Sequence, residues 1–252
     1  MQVRAFVLHL VRATARRQNA HDLLDGCGLD GTIWPAVDGA AMSASELSAT
    51  VGADLFDPPY PFPLRTGEIG CFLSHRQIWA EIQTGDADAA LIIEDDAALD
   101  PEIFDDAVEL ACAHIDRLGY IQLQTRPHKG AAHLVDTSGD CKLLVPELGG
   151  LRTTAQMVSR RAAAHLLAQS DSFDRPVDTF VQSHWHTGLR PAMIHPSGVS
   201  DAGARAGGST IQGGAKSVLE KISREISRAR YRGGVARMSR HSTAPADGGR
   251  HK

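Results

Sequence analysis

Three consecutive carboxylates, Glu94-Asp95-Asp96, follow directly on the apolar run Ala89-Ala90-Leu91-Ile92-Ile93. Such a run reads as a strand buried on both faces, whose carboxyl end delivers acids to the edge of a sheet. Open α/β sheets bind ligands outside the carboxyl ends of their strands, and oxygen donors grouped there suit a hard divalent cation. Acids after a strand also serve as turn formers and helix caps, so the triplet alone leaves both readings open.

Further candidates lie upstream. Arg12, Arg16 and Arg17 follow a first strand over Val3 to Leu10, where a guanidinium can pair with a phosphate or simply cover a helix surface. Asp38 ends the strand-and-turn stretch Ile33 to Gly39, as a ribose or base contact or as a turn residue. His75 lies beside or off the apolar stripe Ile69, Phe72, Leu73, Ile78, Ile82 and reads as a satisfied buried histidine or as a ligand.

The elements that must position these residues alternate. The sequence predicts a helix capped by Thr14 and ending at Gly26, and a short helix with the capping box Ser43 to Glu46. A proline-rich irregular loop follows at 57–63, then a helix capped by Thr66. After the triplet, Asp100-Pro101-Glu102 starts a helix that stops near Gly119, and Tyr120 to Gln124 is a strand. A long polar loop is expected over Thr125 to Asp140, with strands at 142–145 and 153–158 around a Gly149-Gly150 turn. Helices at 160–169 and from Arg175 to Gly188 and a last strand at 189–195 complete the body. Strands alternating with helices predict a three-layer α/β domain with a mostly parallel central sheet.

Composition narrows the class. The 252 residues are 42% hydrophobic and 22% charged, which suits one globular core with a tail. The net charge of -4 hides an asymmetry, because eight Lys or Arg against Glu220 and Glu225 make residues 216–240 a local +6 and leave about -10 elsewhere. So acidic a body argues against a nucleic-acid partner. Four widely spaced cysteines without a CxxC pair fit neither a disulfide framework nor structural zinc, and indicate a reducing cytoplasm. No signal peptide or membrane span is expected. Residues 216–232 put Val218, Ile222 and Ile226 on one stripe among basic residues, as a helix would that lies on an anionic membrane or docks on the body. The last dozen residues are expected to be disordered.

Taken together, Gly67-Glu68-Ile69-Gly70-Cys71, Ser74-His75 and Ile92-Ile93-Glu94-Asp95-Asp96, in this order and spacing, resemble glycosyltransferase family 25. Pro35-Ala36-Val37-Asp38-Gly39, Arg12 with Arg17, Val177-Asp178 and Gly208-Ser209-Thr210-Ile211 extend the likeness across residues 3–211. The resemblance implies a GT-A-like, Rossmann-type domain over 1–211; residues 212–252 read by composition as a basic tail, partly helical and partly disordered. It implies inverting transfer of a hexose, usually galactose, from a UDP-sugar to a glycan or lipid-linked glycan of the lipopolysaccharide or lipooligosaccharide kind. With the cysteine usage and the basic stripe, the expected location is the cytoplasm, peripheral to the inner membrane face. Mn2+, or Mg2+, is the expected cofactor, held by Asp96 and Glu94 with His195 as a further contact. Arg12, Arg17, Asp38, Glu68, His75 and Asp95 would bind the donor, and Asp178 would be the base or merely a helix N-terminal acid. The alternative is an inactive relative that binds glycan or nucleotide as an interaction module. Two departures from the family pattern stand out: the first strand ends His9-Leu10-Val11-Arg12 instead of Asn-Leu-Asp-Arg, and Gln156 replaces a common aromatic.

Overall fold

The structure, a computed structural model, describes residues 1–202 and 218–245, the side chains of 218–222 excepted. Its strands are β1 (Val3–His9), β2 (Gly31–Pro35), β3 (Ala89–Glu94), β4 (Ala97–Leu99), β5 (Tyr120–Leu123), β6 (Ala132–Ser138), β7 (Cys141–Pro146), β8 (Ala155–Ser159), β9 (Ala192–His195) and β10 (Val199–Asp201). The helices are α1 (Arg17–Gly26), α2 (Ala44–Thr50), α3 (Thr66–Thr84), α4 (Pro101–Leu118), α5 (Arg160–Ala168), α6 (Val177–Gln182), α7 (His184–Thr187) and α8 (Val218–Arg240).

Eight strands form one sheet in the order β2-β1-β3-β8-β5-β9-β7-β6. β8 and β7 run against their neighbours, so the other six point the same way. The expectation of a mostly parallel sheet therefore holds for strand direction. Alternate residues of each buried strand serve opposite faces. Leu91 and Ile93 join one core with α1 and α4, while Ala90 and Ile92 join the other with α3, α5 and α6. This is the three-layer α/β arrangement.

Two of the sequence motifs turn out to be packing partners. A Cβ on Gly70 would meet the Val37 carbonyl oxygen at 2.5 Å, and one on Gly39 would meet the Thr66 oxygen at 1.9 Å. Only glycine lets the turn after β2 lie this close to the first turn of α3. The Ser74 hydroxyl locks the contact, accepting from Val37 N at 2.8 Å and donating to the Gly70 carbonyl at 2.7 Å.

Several local expectations change. Thr14 opens a 3-10 turn and caps nothing, and α1 begins at Arg17. Thr66 is the first residue of α3, with Arg65 at the cap position. Seven residues of the expected 125–140 loop form β6, an edge strand that is mostly exposed and packs only Val135 on the core. β7 and β8 do not pair with each other; each is inserted elsewhere in the sheet. The helix expected from Arg175 to Gly188 is split into α6 and α7, and the last strand of the large sheet starts at Ala192.

The tail helix runs to Arg240 and docks on the body. Ser239 donates to the Glu147 carbonyl at 2.5 Å, Ser242 and His184 Nδ1 lie 2.8 Å apart, and Tyr231 meets Tyr60 edge-on at 5.5 Å. The boundary set at 211, the closing Gly208-Ser209-Thr210-Ile211 and the residues from 246 onward lie outside the described residues.

Candidate functional site

The carboxyl ends of β1 and β3 lie side by side, and because β8 runs antiparallel to β3 the segment before it lies beside the end of β3. That segment is held by a ladder of buried amides. Gln124 donates to Gln122 Oε1 at 2.8 Å and to the Leu151 carbonyl at 3.4 Å, Gln122 donates to the Arg152 carbonyl, and Gln182 donates to the Gly149 carbonyl. Arg152 itself is forced to φ 89, a region costly for any residue with a Cβ.

The three acids of the triplet have three different environments. Asp95 is buried and turned inward: its Oδ2 accepts from His9 Nδ1 at 2.7 Å, and its Oδ1 lies 3.1 Å from Arg16 Nε. Asn19 secures the same turn by donating to the Asp95 and Ala97 carbonyls, both at 2.9 Å. Glu94 Oε1 accepts from the Thr153 hydroxyl at 2.6 Å and lies 3.6 Å from His75 Nε2. Burial pushes Glu94 up, but His75 and Thr153 outweigh it and hold the carboxyl below its ordinary value.

Asp96 is the exception. Its half-buried carboxylate has no hydrogen-bond or ion-pair partner among the described residues. Burial first, then the charge of Glu94, push it up to about 6, with Asp95 and Asp201 acting in the same sense and Arg16 against. Asp201 comes from β10, which pairs with β4 so that Asp201 faces Ala97, and Ala202 N donates to the Asp96 carbonyl at 2.7 Å. A half-buried, partnerless carboxylate in the field of other acids can take a divalent hard cation, although the group of three metal-binding side chains found among the described residues, Cys71, His75 and Glu94, does not include Asp96.

Asp178 starts α6 across the site. Its Oδ1 accepts from Thr179 N at 2.7 Å, as a helix N-terminal acid does, while its Oδ2 accepts from Arg152 N at 3.1 Å. The Arg152 guanidinium in turn donates to Asp201. Arg152 thus joins the Asp178 side to the Asp96 side.

The remaining candidates are spread out. Arg12 pairs with Asp38 at 2.6 Å, so these two expected donor contacts meet each other. Arg17 is exposed and lines a cavity of about 420 Å³ with His9, Val11, His21, Ile33 and Pro35, while Arg16 is the arginine that turns to the triplet. Glu68 is used in capping, accepting from Arg65 N at 2.7 Å. His75 is fully buried: its Nδ1 lies 3.4 Å from the Gln156 amide, while its Nε2 faces Glu94 at 3.6 Å without a hydrogen-bond partner. His195 ends β9, three strands from β3, and no cluster of metal-binding side chains among the described residues includes it.

Arg152, Thr153, Asp201 and Cys71 were not foreseen as site residues. Nothing in local spacing marks the first three, which reach the triplet only through pairing between distant segments. Cys71 carried a signal, its i, i+4 spacing to His75 on one helix face.

A sequence model of glycosyltransferase family 25, described as an LPS biosynthesis protein, matches residues 2–181. A glycosyltransferase 25 family member of Aedes aegypti is 31% identical over 135 residues, 49% of this chain and 22% of that protein. Procollagen galactosyltransferase 1 of Danio rerio is 39% identical over 95 residues, 36% of this chain and 16% of the relative. A Bos taurus protein named "Probable inactive glycosyltransferase 25 family member 3" is 38% identical over 96 residues, with the same two shares. The chain thus spans about a fifth or less of the length of these curated relatives.

Proposed function

The chain belongs to glycosyltransferase family 25, and from that premise we propose that it is an inverting transferase that moves galactose from UDP-galactose to a glycan hydroxyl. The observation that carries this reading is the partnerless Asp96 carboxylate, raised to about 6 among Glu94, Asp95 and Asp201. Asp96 and Glu94 would hold Mn2+ or Mg2+, with Asp201 close by. Bound there, the cation would neutralise charge on the departing diphosphate.

The chain's own residues supply the rest. Arg17, His9 and His21 line the cavity beyond the ends of β1 and β2, where an open α/β sheet takes its nucleotide. Asp95, held by His9 and Arg16, fixes the turn that presents Asp96. Asp178 is the proposed base for the acceptor hydroxyl: both oxygens are held by backbone amides, which fixes the carboxylate without consuming all its lone pairs.

The proposed acceptor is a lipopolysaccharide, lipooligosaccharide or other cell-envelope glycan, in keeping with the description of the family model. The proposed location is the cytoplasm, with contact at the inner membrane face through residues 216–232. In α8, Arg224 and Arg228 stack over Phe62 while Ile226 stays exposed, so this part of the helix lies against the 57–63 loop with one apolar residue outward. Incubation with UDP-galactose, Mn2+ and such an acceptor should release UDP and yield galactosylated product; no UDP release with any UDP-hexose would refute the reading.

The name of the Bos taurus relative favours a second reading, an inactive binding module. Calorimetry separates the two, because such a module would bind without turnover, or bind neither UDP nor Mn2+.

A further inference from the structure

Behind the triplet lie two side chains that the transfer reaction does not use, the half-buried Cys71 and the buried His75. Cys71 and His75 are one helical turn apart on α3, and both face Glu94 at the end of β3. Cys71 Sγ is 4.0 Å and His75 Nε2 3.6 Å from Glu94 Oε1, and the three ligand atoms lie within 4.8 Å of one another. Tetrahedral bonds of about 2.3 Å to sulfur and 2.0 Å to nitrogen or oxygen place ligand atoms roughly 3.3–3.6 Å apart. Closing the observed gaps takes side-chain shifts of well under an ångström for the two distances to Glu94.

Orphaned groups surround this point. His75 Nε2, Gln156 Oε1 and the Tyr120 hydroxyl are all buried without hydrogen-bond partners. Tyr120 is close enough to feel the charges of Glu94 and Cys71. Of these, His75 Nε2 stands within reach of both Cys71 Sγ and Glu94 Oε1, and a buried nitrogen without a hydrogen-bond partner there calls for an occupant. His75 Nδ1 lies 3.4 Å from the Gln156 amide, which after a half-turn offers Oε1 to an Nδ1–H and leaves the Nε2 lone pair free.

We propose that Cys71 Sγ, His75 Nε2 and a Glu94 carboxylate oxygen form a second cation site, of the thiolate-containing kind that takes zinc, distinct from the oxygen-donor site at Asp96 but sharing Glu94 with it. Sulfur and imidazole donors select a softer ion than the oxygen donors of Asp96. On uptake the Cys71 S–H bond breaks, its proton passes to solvent, and the thiolate lone pair forms the sulfur–metal bond, with no change of oxidation state. Because the ligand is the thiolate, uptake weakens as pH falls. Because Glu94 serves both sites, a zinc ion here draws away a carboxylate needed at the other.

The test titrates the metal-free full chain with Co2+ alone and records the near-ultraviolet thiolate-to-cobalt charge-transfer band. One equivalent with that band, displaced by Zn2+, lost in Cys71→Ser and kept in Asp96→Asn, is the expected result. Absence of the band, or its survival in Cys71→Ser, overturns the proposal. Should Cys71→Ser fail to fold, alkylation of the intact chain decides: Zn2+ must slow modification of Cys71 at least tenfold relative to the comparably exposed Cys112, and equal rates overturn it. Both readouts report cation binding alone, so their outcome is separate from the fate of the transferase reading.

Discussion

His9 and Asp95, 86 residues apart, are joined by a 2.7 Å hydrogen bond at the end of two adjacent parallel strands. With Arg16 on its other oxygen, Asp95 is committed inward, and Asp96 is left facing the site without a partner. Neighbouring acids should therefore respond to neutralisation in opposite directions. Asp95→Asn is expected to lower folding stability by about 1–3 kcal/mol in urea unfolding, whereas Asp96→Asn should raise it. Equal effects would contradict the division of roles.

The sign for Asp96 follows from its raised pKa. A carboxyl lifted to about 6 in the folded protein binds its proton more tightly than in the unfolded chain, so its contribution is complete below about pH 4 and is lost as pH rises through about 6. The gain from Asp96→Asn in cation-free protein should thus be roughly 1–3 kcal/mol at pH 8 and vanish near pH 4. Conversely, Mn2+ affinity of the native chain should weaken as pH drops through about 6, because the ligand must ionise.

For Asp178, replacement by Asn should cut the transfer rate by roughly 10²–10⁴ while leaving UDP affinity within about twofold. Lost affinity with an unchanged rate per bound donor would instead mark a helix N-terminal acid with no part in proton transfer.

Arg152 sits at φ 89, where a β-branched residue is strained and glycine is at ease. Arg152→Gly should keep thermal stability within about 1 kcal/mol, the relief of strain offsetting the half-exposed pair with Asp201. Arg152→Val should cost about 1–3 kcal/mol. If both variants behave alike, the backbone is not under strain.

Arg175 is fully buried, paired with Asp174 at 2.8 Å and donating to the Phe56 and Pro58 carbonyls. Removing the cation leaves Asp174 buried without its countercharge, so Arg175→Met should lose about 3–5 kcal/mol and free the 57–63 loop. A loss under 1 kcal/mol would show that the loop holds without it.

What could be read from the chain was whatever repeats or punctuates. The apolar run of β3, the capping box at Ser43 and the Pro101 helix start are local rules, and each appears in the structure. β6 was invisible because this edge strand is mostly exposed and places only Val135 against the core, too little for an alternating apolar pattern. Asp201, Arg152 and Thr153 were invisible for another reason: their proximity to the triplet is created by β10 pairing with β4 and by the buried glutamines, neither of which leaves a spacing signature. The two departures from the family pattern, His9 and Gln156, were visible as oddities but unreadable until the structure set them against Asp95 and His75.

The central claim is that Asp96 anchors the cation through which a nucleotide-sugar donor is used. The most direct test is the rate of UDP release from UDP-galactose by the full chain and by Asp96→Asn, each with and without Mn2+. Release that requires Mn2+ in the native chain and falls at least a hundredfold in the variant, with folding intact, is the predicted result; equal release by both would contradict the assignment.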